Sequence, residues 1–172
     1  RKEKVMHNWR QISDGGVFES LVGALLYAEN PEMICFGRPG PDHGLDMITP
    51  DRKHVYQAKH HVDEKMRSAL DSCNKDLKKF KESLDPSHKN YKWWKDVNQW
   101  TLVGNFLKNS EDLEKWEAEI VPAFRKMGIK ADFLGEEELN VKLDRNPEIA
   151  QSYFKGGIRT LIYPRETYLH LL

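Results

Sequence analysis

Asp46, Gln57 and Lys59 are the residues whose types and spacing bear most directly on chemistry. Two apolar runs, Leu45 to Thr49 and His54 to His60, flank Pro50-Asp51-Arg52-Lys53, a stretch suited to a tight turn. A hairpin turning about Asp51 and Arg52 sets Ile48 opposite Val55 and Asp46 opposite Gln57. Side chains alternate along a strand, so Gln57 and Lys59 share a face, the one expected to carry Asp46. Leu45, Met47, Tyr56 and Ala58 are expected on the other face. Strands apolar on both sides belong in a sheet interior, where an unpaired charge is costly. One arrangement that meets this cost is a hard-cation site for phosphodiester hydrolysis. There Asp46 gives Mg²⁺ (or Mn²⁺) an anionic oxygen and Gln57 a neutral carbonyl oxygen, while Lys59 holds or deprotonates the attacking water. The other is an Asp46–Lys59 ion pair with Gln57 as an ordinary surface residue. Spacing alone leaves both open.

The flanking sequence supplies elements that hold this hairpin. Asp14 is placed to cap a helix from Gly16 to Ala28, with Phe18, Leu21, Val22, Leu25 and Leu26 on one stripe, and Asn30-Pro31 stops it. Met33 to Phe36 reads as a short strand. The loop Gly37 to Gly44 is too rich in Gly and Pro for a helix. Beyond His61, Met66, Leu70, Cys73, Leu77, Phe80 and Leu84 recur at steps of four and three, which predicts a helix from about Val62 to Leu84. Strands follow at Gln99 to Gly104 and Ile129 to Leu134. A helix between them starts at Asn109 or Ser110 and is expected to bend or end at Pro122. A short helix covers Glu136 to Leu143. A last one opens on Pro147, reaches Phe154 and is closed by Gly156-Gly157. This order predicts an α/β domain over residues 1–157, with a mixed β-sheet flanked by helices. The tail 158–172 is apolar for a free end and is expected to lead into a further domain.

Gly40-Pro41-Asp42-His43-Gly44-Leu45-Asp46 followed by Val55-Tyr56-Gln57-Ala58-Lys59-His60-His61 resembles the signature of the PD-(D/E)xK nuclease superfamily. It is more similar to the Mrr-like restriction endonuclease branch, in which Gln replaces the acidic residue before x-Lys. That branch carries a Glu on its first helix, and Phe18-Glu19-Ser20-Leu21-Val22 matches it. The resemblance covers about Val17 to His61. It implies a restriction-endonuclease-like core, with Glu19, Asp46, Gln57 and Lys59 around a metal ion, and an endonuclease acting on double-stranded DNA. It also implies kinship with effector domains of bacterial defence proteins. Asp42 spells the literal Pro-Asp pair, but Asp46 falls opposite Gln57 and is the preferred ligand.

Charge bears on how DNA would be met. The chain has 27 Lys+Arg and 27 Asp+Glu, so its net charge is zero. Between Arg52 and Lys95, however, 12 Lys/Arg stand against 6 Asp/Glu, and between Ser110 and Glu148 the numbers are 6 and 11. The basic middle is either a solvated helix face or a polyanion footprint. On the Val62–Leu84 helix, Lys75, Lys78 and Lys79 fall outside the apolar stripe and are the expected DNA contacts. His61 shares a face with Lys59 and could reach a phosphate, whereas His60 faces away. His43, His54, His60 and His61 show no structural zinc spacing. Tyr91-Lys92-Trp93-Trp94-Lys95 either stacks on nucleic acid or closes an edge of the core. Cys35 and Cys73 are expected in the core of a reduced, cytoplasmic protein. No apolar run approaches the roughly 18 residues of a membrane span. Cutting both strands needs two active sites or two visits, so a homo-oligomer is expected. The competing reading is a non-catalytic nucleic-acid-binding or assembly module on the same fold.

Overall fold

The computed structural model describes residues 7–36 and 44–154. Asp42, His43, Arg38, Gly156-Gly157 and the tail 158–172 lie outside these residues. Helix α1 (Gly15–Glu29) starts where expected, because the Asp14 carboxylate accepts hydrogen bonds from the backbone N–H groups of Gly16 (2.6 Å) and Val17 (3.1 Å). Strands β1 (Ile34–Cys35), β2 (Met47–Ile48) and β3 (His54–Lys59) follow. Next come α2 (Met66–Ser83), the short α3 (Tyr91–Trp94) and β4 (Gln99–Gly104). The chain then runs through α4 (Ser110–Lys115), a π-helical turn (Trp116–Ile120), α5 (Val121–Arg125), β5 (Lys130–Leu134), α6 (Glu136–Arg145) and α7 (Pro147–Tyr153). Among the described residues, no helix is long and apolar enough to cross a membrane.

The five strands form one mixed sheet in the order β1-β2-β3-β4-β5, antiparallel as far as β3 and parallel from β3 to β5. The hairpin has the expected register, Ile48 against Val55 and Met47 against Tyr56. Its turn is closed by Arg52 N–H to the Thr49 carbonyl (2.9 Å) and by the Asp51 carboxylate, which accepts from the Thr49 hydroxyl (2.7 Å) and the Lys53 N–H (3.0 Å).

Alternation along the strands divides the core into two apolar layers. Val55, Trp100 and Leu102 face α2 and the α4–α5 segment, while Met47, Tyr56, Ala58 and Val103 face α1, α6 and α7. In the first layer Trp100 stacks on Phe124 (4.3 Å between centroids), and Phe80 stacks on Trp94 (5.2 Å). Such pairs add about 0.5–1.5 kcal/mol each beyond the area they bury.

Three local expectations change. Leu45 packs with Val55 and Ile48 instead of with Met47, because regular pairing stops at Met47 and the chain bends at Asp46. The α2 helix begins at Met66, since Glu64 takes a left-handed backbone (φ 55°) and leaves Val62 exposed. Pro122 neither ends nor breaks its helix; it lies in the first turn of α5, directly after the π-helical turn.

Candidate active site

Asp46 lies directly before β2, and Gln57 and Lys59 lie near the end of β3, at the carboxyl end of the parallel strands. Gly44 (φ 77°) takes the chain through a left-handed turn into this hairpin, a conformation that glycine adopts without strain. Asp46 is 9% exposed and Gln57 likewise. One carboxylate oxygen of Asp46 accepts the backbone N–H of Ala58 at 2.7 Å, which fastens it to the strand between Gln57 and Lys59. The Gln57 amide oxygen accepts a long hydrogen bond from the Trp100 indole N–H (3.4 Å). The Lys59 ammonium is bonded to the Asp76 carboxylate of α2, and Asp76 also meets Lys79 at 3.7 Å. Gln57 and Lys59 therefore share the face that packs on α2, as alternation predicts. Lys59 finds its carboxylate in Asp76, not in Asp46.

The end of β3 is clamped by Asn105, itself 2% exposed. Its amide oxygen accepts the His61 N–H (2.9 Å) and its amide nitrogen donates to the His61 carbonyl (2.8 Å). The His61 ring lies 3.1 Å from the Ser72 hydroxyl. Burial lowers its pKa, an effect opposed by Asp63 and reinforced by Lys59 and His60. His60 faces away, with its Nε2 2.7 Å from the Ile12 carbonyl oxygen and its ring against Phe18. Gly104, paired with Lys59 across the sheet, leaves room for the Phe106 ring, because a Cβ there would collide with it.

Glu19 sits half-buried on α1, which covers the opposite face of the sheet from α2. Its charge is felt at the Cys35 thiol, whose pKa is raised first by partial burial and then by Glu19. Cys35 is exposed, contrary to expectation, because β1 is a two-residue edge strand; Cys73 is buried, and its thiol is pushed up to about 12. Among the described residues, no three or more His, Cys, Asp and Glu side chains converge closely enough to hold a metal ion. The Asp46 carboxylate and the Gln57 amide oxygen are nonetheless hard donors of the kind Mg²⁺ and Mn²⁺ accept with several waters, so the donor chemistry fits such an ion. His54 is engaged elsewhere, at 2.7 Å from the Thr101 hydroxyl and stacked on Tyr56.

Lys75, Lys78 and Lys79 are exposed on α2 as expected, with Lys78 4.0 Å from Glu82. The Tyr91–Lys95 stretch closes an edge of the core: Trp94 is fully buried, and Trp93 carries the Arg52 guanidinium 4.0 Å over its ring.

Sequence reasoning passed over Asp76 and Asn105. Asp76 had a signal, since it falls three residues after Cys73 on the inward side of α2, where a carboxylate needs a cation. Asn105 had none, because its role depends on β4 lying beside β3. A scan against protein-family models and a search of curated proteins find no match to this chain.

Proposed function

We propose that this chain is a metal-dependent DNA endonuclease domain with a restriction-endonuclease-like fold, serving as an effector in bacterial antiphage defence or restriction. The observation that carries the reading is the hydrogen bond from Ala58 N–H to Asp46, which fixes a carboxylate beside Gln57-Ala58-Lys59. A bound Mg²⁺ or Mn²⁺ would supply positive charge to the phosphate under attack. Asp46 and Gln57 would hold that ion; Glu19, the further ligand the family resemblance implies, stands on α1, which covers the other face of the sheet from the α2 face that carries Gln57. Lys59, oriented by Asp76, would hold the attacking water and offset charge on the phosphorane. His61 lies on the same face and would meet a neighbouring phosphate. Lys75, Lys78 and Lys79 would lie along the incoming duplex. Double-strand cleavage fits a homo-oligomer acting in the cytoplasm.

Occupation of Lys59 by Asp76 also suits the second reading, a nucleic-acid-binding or assembly module without catalysis. Plasmid cleavage separates the two. The nuclease nicks or linearises plasmid with Mg²⁺ or Mn²⁺ and stops with EDTA, and folded Lys59→Ala loses at least about a hundredfold in rate. Absence of metal-dependent cleavage, or wild-type cleavage by Lys59→Ala, overturns the assignment.

A further inference from the structure

The amino ends of β3, β4 and β5 form a second polar surface, at the other end of the sheet from Lys59. The six residues of β3 separate the two by about 17 Å at the usual rise of a strand. Backbone hydrogen bonds fix the order of its residues. The Lys53 carbonyl accepts the N–H groups of both Asn98 (2.9 Å) and Gln99 (3.0 Å), and the Asn98 carbonyl accepts that of Lys130 (2.9 Å). The Arg125 carbonyl accepts the Gly128 N–H (2.9 Å), which turns the end of α5 toward β5. On the other side Arg52 donates to the Lys92 carbonyl (3.2 Å). Lys92, Arg52, Lys53, Lys130 and Arg125 thus follow one another along a single rim.

Among the described residues, Lys53, Lys92, Lys95, Arg125, Lys126 and Lys130 are in no ion pair. Three carboxylates lie near in the sequence or register. Asp51 has its pKa lowered first by the Thr49 hydroxyl, with Lys53 a lesser cause; Asp132 stands beside Thr101 in the sheet; Asp96 follows Lys95. Between the α5–β5 turn and the start of β4 opens a cleft of about 390 Å³. Asn98, Arg125 and Lys130 line it together with Val121, Ile129 and Ala131.

We propose that this rim binds the sugar–phosphate backbone of nucleic acid, outside the segment held at Asp46 and Lys59. Its cations are spread along an edge instead of converging on one point, which suits a polymer with a phosphate every ~3.4 Å of axis per strand better than a single small anion. Lys and Arg with no carboxylate to displace meet phosphates at no cost in broken ion pairs. The cleft gives one phosphate a seat between Arg125 and Lys130, with the Asn98 amide as a neutral donor and the apolar wall against the sugar. Such contacts carry no sequence information and would add affinity for long or second segments of nucleic acid.

The test compares full-length Lys59→Ala with the same protein carrying Lys53→Gln, Arg125→Gln and Lys130→Gln, and with one carrying Lys75→Gln, Lys78→Gln and Lys79→Gln. Binding of 40-base-pair duplex DNA is measured by anisotropy across a salt series, after circular dichroism shows equal melting. The rim variant is expected to bind about tenfold more weakly near 0.1 M salt, with the log–log salt slope flattened by about two to three units. Lys130→Glu alone should weaken binding in the same direction. An unchanged slope in the rim variant overturns the proposal. So does loss of binding to phosphatidylserine vesicles with DNA binding intact, which would make the rim a membrane-facing surface. The outcome is independent of the nuclease reading: if wild-type protein fails to cut plasmid but the rim variant loses DNA affinity, the rim stands and the nuclease falls.

Discussion

The two ends of the sheet treat their cations differently. Around the carboxyl ends of β3, β4 and β5, Arg10 meets Glu64 at 3.7 Å, and Lys59 holds Asp76. Arg67 holds Glu111 and Asp112, Lys108 holds Glu137 and Glu138, and Lys115 holds Asp71 at 3.0 Å. At the amino ends Lys53, Arg125 and Lys130 hold no carboxylate among the described residues. The exposed pair Arg67–Glu111 adds little stability, whereas Lys59 and Asp76 are both largely shielded from solvent. What such pairs do is fix direction: a paired ammonium points one way, as a group that must hold a water in place requires. An unpaired lysine stays mobile in its rotamers and suits a yielding contact to a polymer. Under the proposed function and the proposed rim, preorganisation at one end and loose attraction at the other would be different uses of the same charge.

The largest effect should come from removing the anchor of the ordered end. Asp46→Ala takes away a carboxylate and leaves the Ala58 N–H without it, so about 1–3 kcal/mol of stability should be lost in urea titrations. Cleavage should fall by about a thousandfold or more, with Mg²⁺ or Mn²⁺ binding lost in calorimetry. Asp42→Ala should do less; the reverse order would move the metal to the literal Pro-Asp pair. Gln57→Glu adds a second carboxylate beside Asp46 and should keep or tighten metal binding.

Next comes the direction of Lys59. Asp76→Asn keeps the shape and removes the charge that holds the ammonium. We expect kcat to drop by about ten- to a hundredfold with KM for DNA unchanged, and Asp76→Glu to recover part of the loss. A change confined to KM would mean that Asp76 serves only the helix surface, through its contact with Lys79.

Much of the ordered end could be read from the sequence because it is local. Turn chemistry at Pro50 to Lys53 and strict alternation placed Gln57 and Lys59 on one face, and the hairpin register followed. Leu45 escaped because alternation holds only while pairing continues, and pairing stops at Met47. The other end could not be read, because it is assembled from distant segments. Counting charge along the chain put Arg125, Lys126 and Lys130 inside a stretch with an acidic surplus, and the parallel crossovers bring Lys130 to Asn98, which is bonded in turn to Lys53, at the amino end of the sheet. Carboxylates of that stretch, among them Glu111, Asp112, Glu137 and Glu138, are spent on Arg67 and Lys108 near the opposite end. A linear window averages over what the fold separates.

The smallest effect tests how far crowding of charge strains the ordered end. Glu136, at the start of α6, has its pKa raised to about 7, first by burial, then by the carboxylates of Glu64 and Glu137. Arg10 meets Glu64 at 3.7 Å, so it offsets part of that repulsion from outside. The folded protein therefore holds this proton over a pH range, from about 4.5 to about 7, in which the unfolded chain has released it. Stability from this group is complete below about pH 4.5, declines as pH rises through that window, and is gone above about pH 7. Because Glu136 is only half-buried, solvent screening cuts the effect to on the order of 1 kcal/mol. Urea titrations at pH 5 and pH 8 should show wild type losing about that much more than Glu136→Gln between the two conditions. Glu64→Gln removes one of the two carboxylate neighbours and should reduce the same difference in part. Equal pH dependence in wild type and Glu136→Gln would mean that the carboxylate is solvated well enough to ionise normally, and that paired charges at this end are positioned without strain.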